Sequence, residues 1–222
     1  MGLGLKALPT RLDGAFTDCL LGIATEAPRP SPDLSRRNEH YEPLPYEALR
    51  PMGRALACGP GDTVVDLGCG KGRLVCWFAR QGVALCRGVD IDPELTSAAQ
   101  RNASRLRGAR APIEIVCGDA AKAALDDATV VTMYNPFGAE VMSAVARRLA
   151  ASLDSTPRAL RIAYANPVQL ASMTEVGFEV VSRFQAPYFG GRIEIVLLTR
   201  PTARDPAGVS APPLSAAANS PY

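Results

Sequence analysis

One glycine-rich segment carries the strongest chemical signal in the chain. Residues 64–73 read VVDLGCGKGR, in which an apolar run contains Asp66 and is followed by Gly68, Gly70 and Gly72 at alternate positions. Glycines permit a tight turn and let a ligand approach the main chain closely. The pattern therefore predicts a strand that turns into a helix beside a bound ligand. The Asp66 carboxylate disfavours a pyrophosphate there and favours a ligand that carries an amino cation.

Further carboxylates follow the next two predicted strands. Asp90 stands about where nucleotide-binding βαβ units place the acid that meets ribose hydroxyls. Asp119 is positioned either to accept a hydrogen bond from an adenine amino group or to cap the short helix after it, and its spacing leaves both interpretations open. Arg73 occupies the sixth position of the glycine pattern, where a dinucleotide fingerprint usually has Gly or Ala. The segment therefore counts against NAD or FAD as the ligand.

The elements that must position these residues alternate between strand and helix from residue 61 to residue 200. The alternation predicts an α/β fold with a doubly wound, mostly parallel sheet. Only QAPYFGG separates the last two strands, and so short a connection forces an antiparallel hairpin. The predicted helices are 71–80, 93–108, 139–153 and 168–176. The seven predicted strands are 63–67, 84–89, 113–117, 129–134, 159–165, 178–184 and 192–199.

Composition indicates one globular domain with additions at both ends. The chain has 222 residues, 47% of them hydrophobic and 21% charged, which is enough for one core. Residues 1–60 are predicted to form an N-terminal helical or lid segment, and 61–200 the ligand-binding domain. Residues 201–222, rich in Pro, Ala and Ser, are predicted to be a disordered tail. An amphipathic helix is expected to dock near the N-terminus, because apolar residues recur at helical spacing: Leu12, Phe16, Leu20 and Ile23.

Several functional classes are disfavoured by charge and residue content. A net charge of +2 predicts no polyanionic partner, so nucleic-acid binding is not expected. No apolar run reaches the roughly 18 residues of a membrane helix, and the N-terminus lacks the pattern of a secretory signal. A cytoplasmic protein is therefore expected. The six cysteines have no CxxC spacing and His40 is the only histidine, so neither a metal site nor a histidine triad is predicted.

Together these features resemble the class I S-adenosylmethionine-dependent methyltransferases, whose Rossmann-like sheet has seven strands. The resemblance covers residues 61–199 and includes the terminal hairpin. It implies a methyltransferase enzyme with S-adenosyl-L-methionine as cofactor. It also implies that Asp66 and the loop of Gly68, Gly70 and Gly72 hold the methionine moiety. In the same way it assigns Asp90 to the ribose, Ile91 to a position beside the adenine, and Asp119 to the adenine amine.

The fourth predicted strand ends in YNPFG, which looks like a shortened NPPF or NPPY motif of amino-methyltransferases. That resemblance implies that the Asn135 side chain and the Pro136 carbonyl accept hydrogen bonds from a target NH₂ group. Tyr134 and Phe137 are then expected to face the cationic product. One proline of the motif is absent here. A plain Asn-Pro turn into the next helix is the alternative interpretation.

A second, shorter resemblance links NPFGAEV to the lysine methyltransferases of the disruptor-of-telomeric-silencing type, which lack the SET fold. YEPLPY, from Tyr41 to Tyr46, stands where such enzymes place a loop over the cofactor, so both tyrosines are candidate lid contacts. The expected reaction is methyl transfer to an amine or amide nitrogen of a protein side chain or a small metabolite. The alternatives are a small-molecule O-methyltransferase of specialised metabolism and an inactive cofactor-binding partner subunit.

Overall fold

The computed structural model describes residues 10–26 and 41–201, which form one seven-stranded sheet with helices on both faces. The helices are α1 (Thr10–Leu21), α2 (Tyr46–Leu56), α3 (Arg73–Ala79), α4 (Pro93–Arg105), α5 (Ala139–Ser155) and α6 (Leu170–Thr174), with a 3₁₀ turn at Ala120–Lys122. The strands are β1 (Thr63–Leu67), β2 (Leu85–Asp90), β3 (Ile113–Cys117), β4 (Val130–Tyr134), β5 (Arg161–Ala165), β6 (Glu179–Tyr188) and β7 (Gly191–Thr199).

The strand order is β3-β2-β1-β4-β5-β7-β6, and the sequence order reverses between β1 and β4. The first five strands are parallel, and β7 is antiparallel to both β5 and β6. This arrangement confirms the predicted α/β fold and its terminal hairpin. The first strand of the hairpin is longer than predicted, because β6 continues to Tyr188 and only two residues separate it from β7. Tyr188 therefore lies at the same edge of the sheet as the end of β4.

Two buried clusters cover the two faces of the sheet. Alternation along β1 places Val64 in one cluster and Val65 and Leu67 in the other, as the two-residue repeat of a strand requires. The first cluster packs α2 and α3 on the sheet, and the second packs α5 and α6. Each fully buried large apolar side chain contributes about 1.5–3 kcal/mol. The sheet is thus held from both sides, and its carboxyl edge is left for the loops.

The N-terminal helix α1 docks with a different face from the one predicted: of the four predicted apolar contacts only Ile23, just after the helix, is buried, and it packs in the first cluster with Leu21. Leu12, Phe16 and Leu20 are 54%, 60% and 58% exposed. The buried face instead carries Asp18, whose carboxylate accepts a hydrogen bond from the Tyr46 hydroxyl at 2.7 Å. Because a buried carboxylate must keep its hydrogen bonds, this polar contact fixes the rotation of α1 more strongly than the apolar residues do. Helix α2, against which α1 packs, is not among the predicted elements.

A polar cluster joins three strands at the amino edge of the sheet, opposite the loops that follow β1 to β5. Asp62 accepts hydrogen bonds from Thr129 Oγ1 at 2.7 Å, from Arg161 Nη2 at 2.5 Å and from the Gly59 amide at 2.7 Å. Burial alone would raise the pKa of Asp62, but these hydrogen bonds outweigh it and hold the pKa below its usual value. Arg161 also donates to the Leu56 carbonyl at the end of α2. We call these residues the amino-edge cluster.

Two of the remaining predictions concern segments outside the described residues. His40 lies outside them, as does the predicted tail beyond Pro201. Within 10–26 and 41–201, no helix combines the length and hydropathy that crossing a membrane requires. The same residues contain no group of three or more His, Cys, Asp or Glu side chains arranged to hold a metal ion.

Candidate active site

The carboxyl ends of β1, β2 and β3 bring together the acidic residues and glycines singled out in the sequence. The strands are neighbours, with Asp66 in register with Gly88, and Asp90 in register with Cys117. Ligands of such sheets bind beyond the carboxyl ends of the strands, beside the point where the strand order reverses. We call this part of the site the β1–β3 edge; it comprises Asp66, the loop 68–72, Asp90, Ile91 and Asp119.

Asp66 is a buried carboxylate with one strong protein partner. The residue is only 4% exposed. Its Oδ1 accepts a hydrogen bond from Thr132 Oγ1 of β4 at 2.7 Å. Burial raises the pKa of Asp66 to about 7; the nearby charge of Asp90 adds to this and the Thr132 hydrogen bond opposes it. A cation placed against the carboxylate would favour its charged form. Asp66 is thus suited to a ligand that carries an ammonium group.

The glycine loop forms a cradle of bare backbone. Gly68, Gly70 and Gly72 have φ angles of +78°, +53° and +80°, which side chains rarely adopt. A Cβ atom on Gly68 would lie 2.4 Å from Cβ of Pro136, and one on Gly70 would lie 2.3 Å from a ring carbon of Tyr41. Neither position has room for a side chain. The loop is therefore covered by the segment after β4 on one side and by Tyr41 on the other.

Asp90 fixes the glycine loop and retains capacity for a ligand. Its Oδ2 accepts a hydrogen bond from the Gly70 amide at 2.8 Å and its Oδ1 one from the Asp92 amide at 2.9 Å. Burial raises the pKa of Asp90, although these backbone hydrogen bonds oppose the shift. Since each carboxylate oxygen can accept more than one hydrogen bond, the side chain can also receive a pair of hydroxyl groups. Asp92 is the N-cap of α4, as predicted.

Asp119 and Ile91 complete this edge. Asp119 caps the 3₁₀ turn, with Oδ1 accepting a hydrogen bond from the Ala121 amide at 2.9 Å. The structure thus shows the capping interpretation, and the interaction with an adenine amine remains a prediction. Ile91 is exposed directly after Asp90. It offers an apolar surface on which a flat aromatic base can pack.

At the ends of β4 and β5 the chain makes the same unusual turn twice. Asn135 and Asn166 each follow a strand, each precede a proline, and have positive φ angles of 34° and 50°. Asparagine tolerates this left-handed region better than most residues, and a following proline disfavours the right-handed helical region. The Asn135 amide donates to the Ala165 carbonyl at 3.1 Å, which ties the two turns together. The backbone of Asn135 is thereby fixed next to Pro136 and the glycine loop.

Two tyrosines and a glutamate converge beside Asn135. The hydroxyls of Tyr134 and Tyr188 lie 2.6 Å apart, and the Tyr134 hydroxyl donates to Glu42 Oε2 at 3.5 Å. Burial raises the pKa of both tyrosines, so their hydroxyls stay protonated at neutral pH. Glu42 itself is exposed. We call Tyr134, Asn135, Asn166, Tyr188 and Glu42 the β4–β6 edge.

The structure places two of the predicted site residues in the core. Phe137 is buried in the same cluster as Leu67 and Met142 and does not face the site. Tyr46 is buried under α1, with its hydroxyl on Asp18. Tyr41, in contrast, lies against Gly70 as a lid residue would.

Three polar residues of the site had no assigned role in the sequence analysis. Thr132 was not singled out, although its register with Asp66 follows once β1 and β4 are known to be neighbours. Glu42 had no local signal beyond its place between two tyrosines in YEPLPY. Arg73, which counted only against a dinucleotide, is almost fully buried and paired with residues of the N-terminal segment.

Comparison with known proteins identifies related domains. Residues 66–169, just under half of the chain, match a family profile described as the ANTKMT methyltransferase domain. An uncharacterised protein of Escherichia coli, YjhP, is 33% identical over 86 residues, which is 38% of this chain and 34% of that protein. A protein-lysine N-methyltransferase of Saccharolobus islandicus is 34% identical over 95 residues, or 42% of this chain and 58% of that protein. The chain thus spans between one third and three fifths of these curated relatives.

The solved structures add evidence on the fold. An RNA methyltransferase of Salinibacter ruber in complex with S-adenosyl-L-homocysteine superposes with a TM-score of 0.54 at 23% identity, covering 72% of this chain and 94% of that one. At this identity the match concerns the fold alone. Fold, glycine loop and family profile agree with the resemblance found in the sequence. The described part of the chain therefore has the Rossmann-like fold of class I S-adenosylmethionine-dependent methyltransferases, and its residues 66–169 are related to a methyltransferase domain.

Proposed function

We propose that this chain transfers a methyl group from S-adenosyl-L-methionine to an amine nitrogen of a protein side chain, with a lysine that binds as its ammonium and reacts as the neutral amine. The observation that carries the choice of acceptor is the Glu42 carboxylate beside the hydroxyls of Tyr134 and Tyr188, next to Asn135. A carboxylate and aromatic rings together attract a cation. A neutral oxygen acceptor could hydrogen-bond to these groups, but it would gain no attraction between opposite charges.

The β1–β3 edge fits the methyl donor. Gly68 and Gly70 give a turn of bare backbone that is closed in by Pro136 and Tyr41, and Asp66 is a buried carboxylate suited to an ammonium group. Asp90 has oxygen atoms for ribose hydroxyls, and Ile91 offers an apolar surface for the base. When bound, the donor supplies an electrophilic methyl group on a positively charged sulfur. The bound S-adenosyl-L-homocysteine of the Salinibacter ruber enzyme supports the same ligand class.

The chain's own residues then have to bind, deprotonate and orient the acceptor. Glu42 draws in the ammonium and can take the proton that the nitrogen must lose before it reacts. The Asn135 side-chain oxygen and the Pro136 carbonyl accept hydrogen bonds from the neutral amine and direct its lone pair. Because methyl transfer is an in-line displacement, this orientation supplies much of the rate. The positive φ of Asn135 fixes the backbone that presents both groups.

One curated relative supports a protein acceptor. The Saccharolobus islandicus protein is named as a protein-lysine N-methyltransferase, and its matched region is 34% identical to this chain. The chain covers 58% of that protein, so the acceptor is proposed on the combined support of this name and the Glu42 site.

The direct test is methyl transfer to defined acceptors. The purified chain is incubated with S-adenosyl-L-methionine and one acceptor per reaction: a lysine-containing peptide, a glutamine-containing peptide or a phenolic metabolite. The products are identified by mass spectrometry. We expect a methyl adduct on the lysine peptide. Methylation of the phenol alone would replace the proposal with O-methylation, and binding of the donor without any product would indicate a partner subunit.

Two variants test the acceptor site itself. Glu42→Gln removes the charge and keeps the shape, so KM for the lysine peptide should rise about tenfold while affinity for S-adenosyl-L-homocysteine is unchanged. Tyr188→Phe should also raise KM for the lysine peptide, but by a smaller factor. Glu175→Gln is the matched control, since Glu175 is an exposed carboxylate at the end of α6, away from the site. An equal KM for Glu42→Gln and Glu175→Gln would remove Glu42 from the acceptor site.

A further inference from the structure

A buried ion-pair network lies behind the glycine loop and joins it to the N-terminal segment. Arg73, the first residue of α3, is 2% exposed. Its Nε donates to Thr25 Oγ1 at 2.6 Å, its Nη2 to Glu26 Oε1 at 2.5 Å and its Nη1 to the Leu44 carbonyl at 3.2 Å. Thr25 and Glu26 belong to the stretch that follows α1. Every side of the guanidinium thus contacts the N-terminal part of the chain.

The partners of Arg73 are themselves held in place. Asp18 accepts hydrogen bonds from the Thr25 amide at 2.5 Å and from the Tyr46 hydroxyl at 2.7 Å. The Tyr46 ring stacks below the Arg73 guanidinium, 4.6 Å from centroid to Cζ. A buried charge is costly unless it is paired and its hydrogen bonds are satisfied. Because this network meets both conditions, displacing one partner would leave a buried polar group unsatisfied.

The segment Ala24–Glu26 reaches the glycine loop by two further contacts. The Asn102 side chain of α4 accepts a hydrogen bond from the Ala24 amide at 3.0 Å and donates to the Lys71 carbonyl at 2.9 Å, so one amide group bridges the two segments. The Tyr41 hydroxyl donates to the Thr25 carbonyl at 2.7 Å. Its ring lies against Gly70. The strap, as we call residues 24–26, thus connects Arg73 to the ring that covers the loop.

One glycine of α1 makes room for this arrangement. A Cβ atom on Gly14 would lie 1.6 Å from Glu26 Oε1. Glycine in a helix interior costs about 1 kcal/mol relative to alanine. Here it allows the Glu26 carboxylate to reach Arg73.

We propose that Arg73 is a positioning residue: its buried contacts to Thr25 and Glu26 hold the strap, and through it the Tyr41 ring, against the glycine loop. The consequence for ligand binding rests on the proposed function, because it assumes that the loop binds S-adenosyl-L-methionine. Arg73 touches neither donor nor acceptor. Its role is to keep Tyr41 on the loop, so loosening the strap speeds release of the ligand.

The test uses partners of Arg73 that are easier to change than Arg73 itself. Glu26→Gln weakens the ion pair at its more exposed end, and Tyr41→Phe removes the hydroxyl that holds the strap but keeps the ring. Each variant should raise Kd for S-adenosyl-L-homocysteine about fivefold to tenfold, mainly through faster dissociation. Combining them should add little, because both act through the strap.

Asp13→Asn is the matched control. Asp13 pairs with Arg50 at 3.0 Å and holds the same helix α1 to α2, but it makes no contact with the loop. It should lower Tm about as much as Glu26→Gln and leave Kd unchanged. If Asp13→Asn raises Kd equally, the network is merely structural and the proposal fails. If Glu26→Gln and Tyr41→Phe both leave Kd unchanged, the proposal fails as well.

Amide hydrogen exchange in the ligand-free protein separates this inference from the proposed function. Glu26→Gln should speed exchange at residues 69–72, whereas Asp13→Asn should not. Faster loop exchange in a protein that binds no S-adenosyl-L-homocysteine would retain the role of Arg73 and refute the proposed ligand. Unchanged exchange at residues 69–72 in a protein that does bind S-adenosyl-L-homocysteine would retain the proposed ligand and refute the role of Arg73. Arg73→Lys, which keeps the charge but loses the planar fork that reaches Thr25 and Leu44, should speed exchange at residues 69–72 at least as much as Glu26→Gln.

Discussion

The two ends of the sheet's carboxyl edge are built differently. At the β1–β3 edge the groups come from strand ends and the turn directly after β1: the carboxylates of Asp66 in β1 and Asp90 at the end of β2, and three glycines with positive φ. At the β4–β6 edge they come from distant parts of the chain. Tyr134 and Tyr188 are 54 residues apart, and Glu42 and Tyr134 are 92 apart.

The difference follows from what each edge has to recognise. Under the proposed function the β1–β3 edge binds the methyl donor, a nucleoside that carries an ammonium group, and short turns specify its site. The acceptor varies between members of the fold, and a site assembled from separate segments can change without disturbing the β1–β3 turns. Pro136 is where the two edges meet, because it packs on Gly68. Variants on the two sides should therefore separate donor binding from turnover.

The largest effect is expected from Asp90→Ala at the β1–β3 edge. The substitution removes the ribose acceptor and leaves the Gly70 amide without its partner. Affinity for S-adenosyl-L-homocysteine, measured by calorimetry, should fall roughly 100-fold or more, since hydrogen bonds to a charged group contribute about 1.5–3 kcal/mol each. Asp92→Ala is the control, because it removes the α4 cap but keeps the Asp90 carboxylate and should lower stability by about 1 kcal/mol. Unchanged affinity in Asp90→Ala would remove the ribose assignment.

At the β4–β6 edge, Asn135→Ala should separate catalysis from donor binding. Turnover should fall roughly 100-fold through lost orientation of the acceptor, while affinity for S-adenosyl-L-homocysteine stays within about twofold. Asn135→Gly keeps the left-handed backbone without the amide. If the glycine variant regains activity in a methyl-transfer assay, the backbone turn and not the side chain is what matters.

A smaller, pH-dependent effect is expected at Asp66. Burial raises its pKa from the ordinary value of 3.8 to about 7, so the folded protein favours the neutral acid. The resulting stabilisation is complete below about pH 4 and is lost as pH rises through 7. A cationic ligand needs the charged form, so affinity for S-adenosyl-L-homocysteine should increase by up to about tenfold per pH unit toward pH 7.

Asp66→Asn provides the comparison for that profile. This variant should bind S-adenosyl-L-homocysteine more weakly than wild type above pH 7. Its affinity should not increase between pH 5.5 and 7. Thermal unfolding of the ligand-free protein should show the opposite trend, with wild type losing stability relative to Asp66→Asn as pH rises. A flat affinity profile in the wild type would contradict a cation at Asp66.

Local turns and strand patterns were predictable, and contacts between distant segments were not. Asp66, the glycines and Asp90 were found because each lies within a few residues of the strand that positions it. The rotation of α1 was predicted wrongly, because it depends on Asp18 meeting Tyr46, 28 residues away. Apolar periodicity alone pointed Leu12, Phe16 and Leu20 inward. Tyr188, expected in the loop of the terminal hairpin, instead ends β6, which is longer than its sequence pattern indicated.

The amino-edge cluster has a consequence for remodelling this protein. Asp62, Thr129 and Arg161 join the starts of β1, β4 and β5, at the end of each strand that no acceptor loop touches. Loops grafted onto the carboxyl edge of the sheet therefore leave this junction intact. A library that randomises residues 42, 134, 135 and 188 should retain a high fraction of folded members. The same diversity placed at 62, 129 and 161 should yield mostly insoluble ones.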